Sequence, residues 1–254
     1  MTNVAVDNLS LGLVFGLVLV AIGISQTEQL RLTKDIVIAV LRTVIQLILV
    51  GYLLKFIFQV SNIFLSLSMM MIILYNASVQ ANKRNPNKTK KLYHPFLALL
   101  LSTGLTLSIL VLSGAIKFVP SQLIPISGML ASNAMTAIGL SYRTMHRLFT
   151  DNRQQVLEKL SLGATIKLAS QSIIRESIRT GVQPTIDSAK TVGIVSLPGM
   201  MSGLIFAGVD PVHAIRYQIM VMFMLLSATS LASFIAVYFA YRTYFTERAQ
   251  LQFD

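Results

Sequence analysis

The chain has 254 residues, of which 54% are hydrophobic and only 12% charged, with a net charge of +11 and a mean hydropathy of +0.68. That charge fraction is roughly half that of an average soluble domain, and the charges are clustered so that long uncharged runs lie between them. An ordinary soluble enzyme is therefore excluded. The absence of cysteine also excludes a disulfide, a thiolate metal site and an iron–sulfur cluster ligated by this chain.

A bilayer core about 30 Å thick needs about 20 mostly apolar residues in a helix. Segments 9–24, 36–58, 62–80, 96–116, 122–142, 185–207 and 215–240 meet this description. The expected fold is an all-α polytopic membrane protein with about seven transmembrane helices, forming one membrane domain over 1–254. The first segment follows MTNVAVDN, which carries Asp7 and no Lys or Arg. It lacks the basic region of a cleaved signal peptide and is read as a span.

The second segment carries Arg42 and Gln46 one helical turn apart. Such side chains are costly in hydrocarbon unless they face the bundle interior or water. Structural glue and the lining of a substrate path are both open readings for the pair.

After the third segment, Lys83, Arg84, Lys88, Lys90 and Lys91 fill one connection, and Arg143, Arg147, Arg153, Lys159, Lys167, Arg175 and Arg179 fall in another. In a seven-span arrangement both lie on one side with Arg31, Lys34, Arg242 and Arg248, while the other side has little beyond Lys55 and Lys117. A pI near 10.1 could signal nucleic acid, but this asymmetry is that of positive-inside loops against a lipid bilayer, so no nucleic-acid partner is expected. The expected location is the inner (plasma) membrane, multi-pass, with the N-terminus outside and the C-terminus cytoplasmic.

The fifth segment, SGMLASNAMTAIGLSY at 127–142, has small residues on several faces and Asn133 at mid-depth, which suits a helix packed inside the bundle. Beyond it, Val156, Leu157, Leu160, Ile166, Ser170, Ile173, Ile174, Ser177 and Ile178 keep a spacing of three and four. This predicts two short amphipathic cytoplasmic helices over about 151–181, the first capped by Asp151 and stopped by Gly163, the second capped by Thr165 and ended by Gly181. Pro184 would start the next span. These helices could lie on the membrane surface or dock a soluble partner. The sixth segment contains SLPGMMSGLIFAG at 196–208, where Pro198 must disturb the helix and Gly199, Gly203 and Gly208 allow close backbone approach.

Catalytic patterns are missing. His94, His146 and His213 have no HExxH spacing, and no GxSxG or phosphate-cradling glycine loop occurs. No catalytic residue is expected, and no cofactor bound by this chain. The methionines suit soft cations as thioether ligands. For Met69, Met70, Met71, Met220, Met222 and Met224 apolar filling is the simpler reading, whereas Met129, Met135, Met200 and Met201 lie on the polar, glycine-bearing spans.

The stretch LEKLSLGATIKLASQSIIRESIRTGVQPTIDSAKTVGIVSLPGMMSGLIFAG at 157–208, with GMLASNAMTAIGLS before it and DPVHAIRYQIMVMF after it, resembles the FetB-like family. These are permeases of ATP-binding-cassette transporters implicated in bacterial iron export, with related plant aluminium-tolerance permeases. The likeness runs from about Gly128 onward, and LPGMMSG is its most specific part.

The resemblance implies a homodimeric permease served by a separate ATPase subunit that binds ATP and Mg, because this chain has no phosphate loop of its own. It implies a coupling region containing Glu158, Gly163, Ala164, Arg175, Glu176 and Arg179. It is similar to the usual Glu-Ala-Ala, three residues, Gly pattern, but departs from it. Glu158 lies five residues before Gly163, and Lys159 and Leu160 stand where small residues are usual. Arg42, Gln46, Asn133, Met135, Thr136, Pro198, Gly199, Met200, Met201 and Gly203 are the expected translocation path, with Met200 and Met201 as candidate metal ligands. Alternatives are a nucleotide sugar, a lipid or another metal as cargo, or a non-transporting membrane assembly factor or receptor.

Overall fold

The computed structural model of the chain describes residues 12–60, 62–87 and 90–252. Asp7, the start of the 9–24 segment and Lys88 lie outside them. Among the described residues the secondary structure is helical, with no strand and only the isolated bridges Val192–Ser196 and Phe245–Leu251.

The chain divides into two units, 1–61 and 62–254. The first contains α1 (Gly16–Thr27) and α2 (Thr33–Val60). Their connection is tied by the buried Ser25 hydroxyl, which accepts the Leu32 N–H at 3.1 Å and lies 3.3 Å from the Thr33 hydroxyl.

The second unit contains α3 (Ile63–Lys83), α4 (Tyr93–Leu112), α5 (Pro120–Asp151), α6 (Arg153–Ser161), α7 (Ile166–Ala169), α8 (Gln171–Thr191), α9 (Gly199–Phe206) and α10 (Pro211–Ala240), closed by a 3₁₀ turn at Tyr241–Tyr244. Local chemistry sets the helix starts. The Asn62 side chain accepts the Phe64 N–H at 2.9 Å to cap α3. Asp210 accepts the N–H groups of Val212 and His213 at 3.0 and 3.3 Å, with Pro211 as the first residue of α10.

Helices α5, α8 and α10 pack closely because their facing positions are small. Ala131, Ala134, Ala137, Ser141, Ser177, Ala232, Ser233 and Ala236 are all buried. In a bilayer, where lipid is as apolar as leucine, close packing of small side chains is what holds helices together. A second cluster, built on Leu107, Leu123, Leu130, Val221 and Met224, fills the opposite end of α4, α5 and α10.

Among the described residues, five helices are long and apolar enough to cross a membrane: Thr33–Gln59, Ile63–Lys83, Tyr93–Leu112, Pro120–Asp151 and Pro211–Tyr244. The chain is thus an all-α polytopic membrane protein. The expected count of about seven is not confirmed among the described residues. The described part of the first expected span is the apolar helix Gly12–Thr27, and the expected segment 185–207 is not one helix.

The break has a local cause. Gly193 adopts φ +84°, its N–H bonds to the Ser196 carbonyl at 2.9 Å, and Pro198 caps the new helix α9. A proline removes a helical donor and pushes the preceding residue into extended backbone, so a continuous apolar run cannot continue as one helix here.

The boundaries of the amphipathic stretch also shift. α5 runs to Asp151, and Asn152, not Asp151, precedes α6. Gly181 and Pro184 lie inside α8 rather than at its end and at the start of a span. The expected second amphipathic helix and the first part of the expected sixth span are therefore one element.

Candidate functional site

Two features of the second unit collect the expected coupling residues and, of the expected path, Asn133 and Thr136. One is the turn between α6 and α7 with the outer face of α8. The other is a cleft between α5, α8 and α10.

The turn is built by glycine. Gly163 has φ +86°, its N–H bonds to Leu160 O at 3.0 Å, and the next N–H, from Ala164, bonds back to Lys159 O at 3.0 Å. This left-handed helix stop is open to glycine at little cost. Thr165 then caps α7, its hydroxyl accepting the Leu168 N–H at 3.3 Å.

The inner faces of these helices are pinned. Val156, Ala169, Ser170, Ile173, Ile174 and Ser177 are buried in the main core cluster or beside it, and Leu160, Ile166 and Ile178 pack against it. The apolar stripe seen in the sequence is therefore spent on the protein's own core and is not left over for a lipid surface.

What faces outward is different. Leu162 is 88% exposed and Leu168 58%. Glu158, Arg175, Glu176 and Arg179 are exposed. Glu158 accepts from the Gln154 amide at 3.1 Å, and Glu176 reaches Arg179 at 4.0 Å. An exposed pair at that distance adds little stability, so this surface is unsaturated in both charge and apolar contact.

The cleft has a volume of about 170 Å³ and is lined by Asn133, Thr136, Ala137 and Leu140 of α5, by Gly181, Pro184, Thr185 and Ser188 of α8, and by Met222 and Leu225 of α10. Asn133 donates to Met129 O at 2.9 Å and Thr136 to Ser132 O at 3.1 Å, which leaves the Asn133 carbonyl and hydroxyl lone pairs for a ligand. Arg84 reaches over from the end of α3, its Nη1 3.5 Å from the Thr136 hydroxyl. A Cβ at Gly139 would lie 2.5 Å from Arg84 Cδ, so that glycine is what lets the arginine lie across α5.

Gly181 plays the same part at the helix crossing. A Cβ there would meet Ala137 O at 2.7 Å and Ser233 Oγ at 2.9 Å. The neighbouring hydroxyls of Ser141 and Ser233 are buried without a hydrogen-bond partner.

The other expected residues fall elsewhere. Met135 turns away from the cleft and packs on the main core cluster. Pro198 caps α9, Met200 packs against the second cluster with Met70, Met129 and Met220, and Met201 is half-buried. Gly199 and Gly203 have nothing within 4 Å of a would-be Cβ, so the close approach expected there is found at Gly181 and Gly139 instead. Gly208 is needed for its φ of +88°. Arg42 and Gln46 are exposed on α2 in the first unit.

Arg84, Gly181, Thr185, Ser188 and Met222 were missed as cleft residues. The spacing Gly181, Thr185, Ser188 is one helix face, but Gly181 and Pro184 read as punctuation and concealed it. Among the described residues no three or more His, Cys, Asp or Glu side chains gather into a metal site.

The fold and these features define a polytopic helical membrane protein with a pinned, outward-facing helix–glycine–helix surface and a cleft between α5, α8 and α10. The chain belongs to the family described as "Uncharacterised protein family (UPF0014)", which matches residues 8–245. It is 54% identical to the "Probable iron export permease protein FetB" of Escherichia coli (strain K12), over 97% of this chain and 95% of that protein. It is 35% identical to "Protein ALUMINUM SENSITIVE 3" of Arabidopsis thaliana, over 92% and 86%, and 33% identical to "UPF0014 membrane protein YjkA" of Bacillus subtilis (strain 168), over 97% and 98%. No solved structure matches the chain.

Proposed function

We propose that this chain is the membrane-spanning permease subunit of an ATP-binding-cassette transporter that exports iron or another metal ion, as a homodimer working with a separate ATPase. The observation that carries the reading is the α6–Gly163–α7 turn. Its inner face is locked into the core while Leu162, Leu168, Arg175 and Arg179 project outward, so a partner gripping that surface would move the bundle with it. The 54% identical relative bears the name of an iron export permease, which supports the cargo class.

Mechanistically, one permease conformation binds the ATP-closed ATPase dimer better than the other, and ATP binding shifts the populations by that difference. Arg175 and Arg179 suit acidic residues on the ATPase. The cleft between α5 and α8 is the path, with Asn133 and Thr136 as its polar lining. The basic connections are cytoplasmic, and the N-terminus lies outside.

Co-expression with candidate ATP-binding-cassette ATPase subunits tests the reading. A stable complex of two copies of each chain, with ATPase activity raised by the permease, is expected. A stable monomer that transports without an ATPase would sink it.

A second reading of the cargo is favoured by Arg84. A guanidinium reaches the lining residue Thr136, and no carboxylate is among the lining residues. That lining suits an anionic cargo such as a nucleotide sugar better than a bare cation. Competition of such a compound against metal flux distinguishes the two.

A further inference from the structure

A cavity of the second unit larger than the cleft lies apart from it. It has a volume of about 720 Å³ and lies where α4 begins and α10 ends, lined by Lys91, Tyr93, His94, Tyr238, Phe239 and Arg242 among others. A second cleft of about 550 Å³ adjoins it through Tyr241, Arg242 and Phe245, and adds Lys167 of α7.

The charge of this double cleft is one-sided. Among the described residues its lining holds Lys91, Lys167 and Arg242 against the one carboxylate of Glu247, and none of the three cations forms an ion pair there. Aromatic rings hold them in place. Lys91 Nζ lies 6.0 Å from the centre of the Tyr93 ring, Lys167 Nζ lies 5.8 Å from that of Tyr238, and Arg242 Nε bonds to the Tyr241 hydroxyl at 3.3 Å. The N-terminal end of α4, whose dipole favours negative charge, opens at Tyr93 beside them.

The position of the cleft tells which anion fits. Two apolar spans end here, so the cleft lies at the level where a bilayer changes from hydrocarbon to headgroup, and tyrosines and basic side chains are the residues that level favours. Towards the membrane the aromatic surface continues. Tyr238 packs on Phe234 at 4.5 Å between ring centres, one turn deeper, and both Phe234 and Phe239 are exposed. A free phosphate would use the cations and leave these rings bare. A phospholipid uses both.

We infer that this double cleft binds the phosphate headgroup of an anionic phospholipid, with Lys91, Arg242 and Lys167 as headgroup ligands and Phe234 and Phe239 against the acyl chains. Basic pockets between spans are a known chemistry for anionic headgroups. Because Lys167 belongs to α7, directly after the glycine turn, the bound headgroup bridges the ends of α4 and α10 to the outward-facing surface. The site does not depend on the identity of the cargo.

The test is native mass spectrometry of the purified full-length protein, titrated with phosphatidylglycerol, with phosphatidylcholine of the same acyl chains, and with inorganic phosphate. Wild type should retain phosphatidylglycerol in preference to phosphatidylcholine. The variant K91Q/K167Q/R242Q should lose at least about tenfold of that preference. The variant R143Q/R147Q/K159Q, which removes the same charge elsewhere, should keep it, which controls for bulk electrostatics. Retention of the preference by the first variant, its equal loss in the second, or equal binding of both lipids by wild type would overturn the inference. Displacement of phosphatidylglycerol by millimolar inorganic phosphate would overturn the assignment to a lipid. If K91Q/K167Q/R242Q fails to fold, the single variant Phe234→Ser, which leaves every cation in place, should weaken retention of long-chain phosphatidylglycerol but not of its short-chain form. Equal effects on both would also overturn it.

Discussion

The two segments expected to line the path, 122–142 and 185–207, look alike in sequence, each mixing glycine, serine, methionine and apolar residues, and they end up in opposite structural states. The first is part of one unbroken 32-residue helix, buried along much of its length. The second divides into the end of α8, an exposed turn with Ile194 and Val195 largely open, and the short helix α9 with no fully buried residue. The difference lies in what the small residues meet. In α5 they meet other helices, so Ala134, Ala137, Gly139 and Ser141 become contact points. Around α9 Gly199 and Gly203 meet open space, and Pro198 and Gly193 decide the backbone. Packing makes the first segment a continuous wall, and backbone chemistry makes the second a discontinuous segment.

The comparison can be broken most forcefully at the outward surface. Reversing both charges in R175E/R179E should weaken ATPase docking by about 2–5 kcal/mol where those charges are buried in the interface, and by much less at its rim. Binding measured by calorimetry or pull-down reads this, and the thermal stability of the isolated permease should barely move, since both side chains are exposed.

The packed wall is tested by Gly181→Ala. Helix propensity alone favours alanine by about 1 kcal/mol, but the new Cβ would lie 2.7 Å from a backbone oxygen that cannot rotate away. Overpacking of about 1–3 kcal/mol should win and lower the melting temperature of the solubilised protein. Gly203→Ala has no such neighbour and should be neutral or mildly stabilising. Equal effects of the two would erase the contrast between the segments.

Smaller still is the double replacement M200L/M201L. Leucine keeps the volume nearly unchanged at a cost under about 1.5 kcal/mol and removes the sulfur, so assembly should survive, and metal flux should fall only if thioethers touch the cargo. Met200 packs against a cluster containing other methionines, so unchanged flux would assign both to packing.

The least effect is expected at the cap of α10. The hydrogen bond from the His213 ring, followed by the backbone N–H groups of His213 and Val212, holds the exposed Asp210 carboxyl below its ordinary range. A lowered pKa in the folded state means that the cap's contribution is complete above the ordinary carboxylate pKa. It fades as pH falls through the lowered value. Asp210→Asn should remove that acid-side slope from stability measured against pH while keeping a competent cap.

Much of this architecture was legible in the sequence. The long apolar runs marked all five clear spans, and the three-and-four spacing from Val156 to Ile178 marked the face that is buried. Gly163 and Thr165 were read correctly as a stop and a cap because each acts on its own backbone. Gly181 and Pro184 were misread because their roles depend on neighbours. Gly181 is small for Ala137 and Ser233, which lie more than forty residues away in sequence. Arg84 could not be placed at the cleft, since only folding brings the end of α3 across Gly139.

The most direct test of the central claim is metal flux in inside-out proteoliposomes containing this chain and the proposed ATPase partner, with iron and ATP supplied outside. Accumulation of iron inside the vesicles that requires ATP and the ATPase, and that is lost in R175E/R179E, is the expected result. Accumulation that proceeds without ATP or without the ATPase subunit would contradict it.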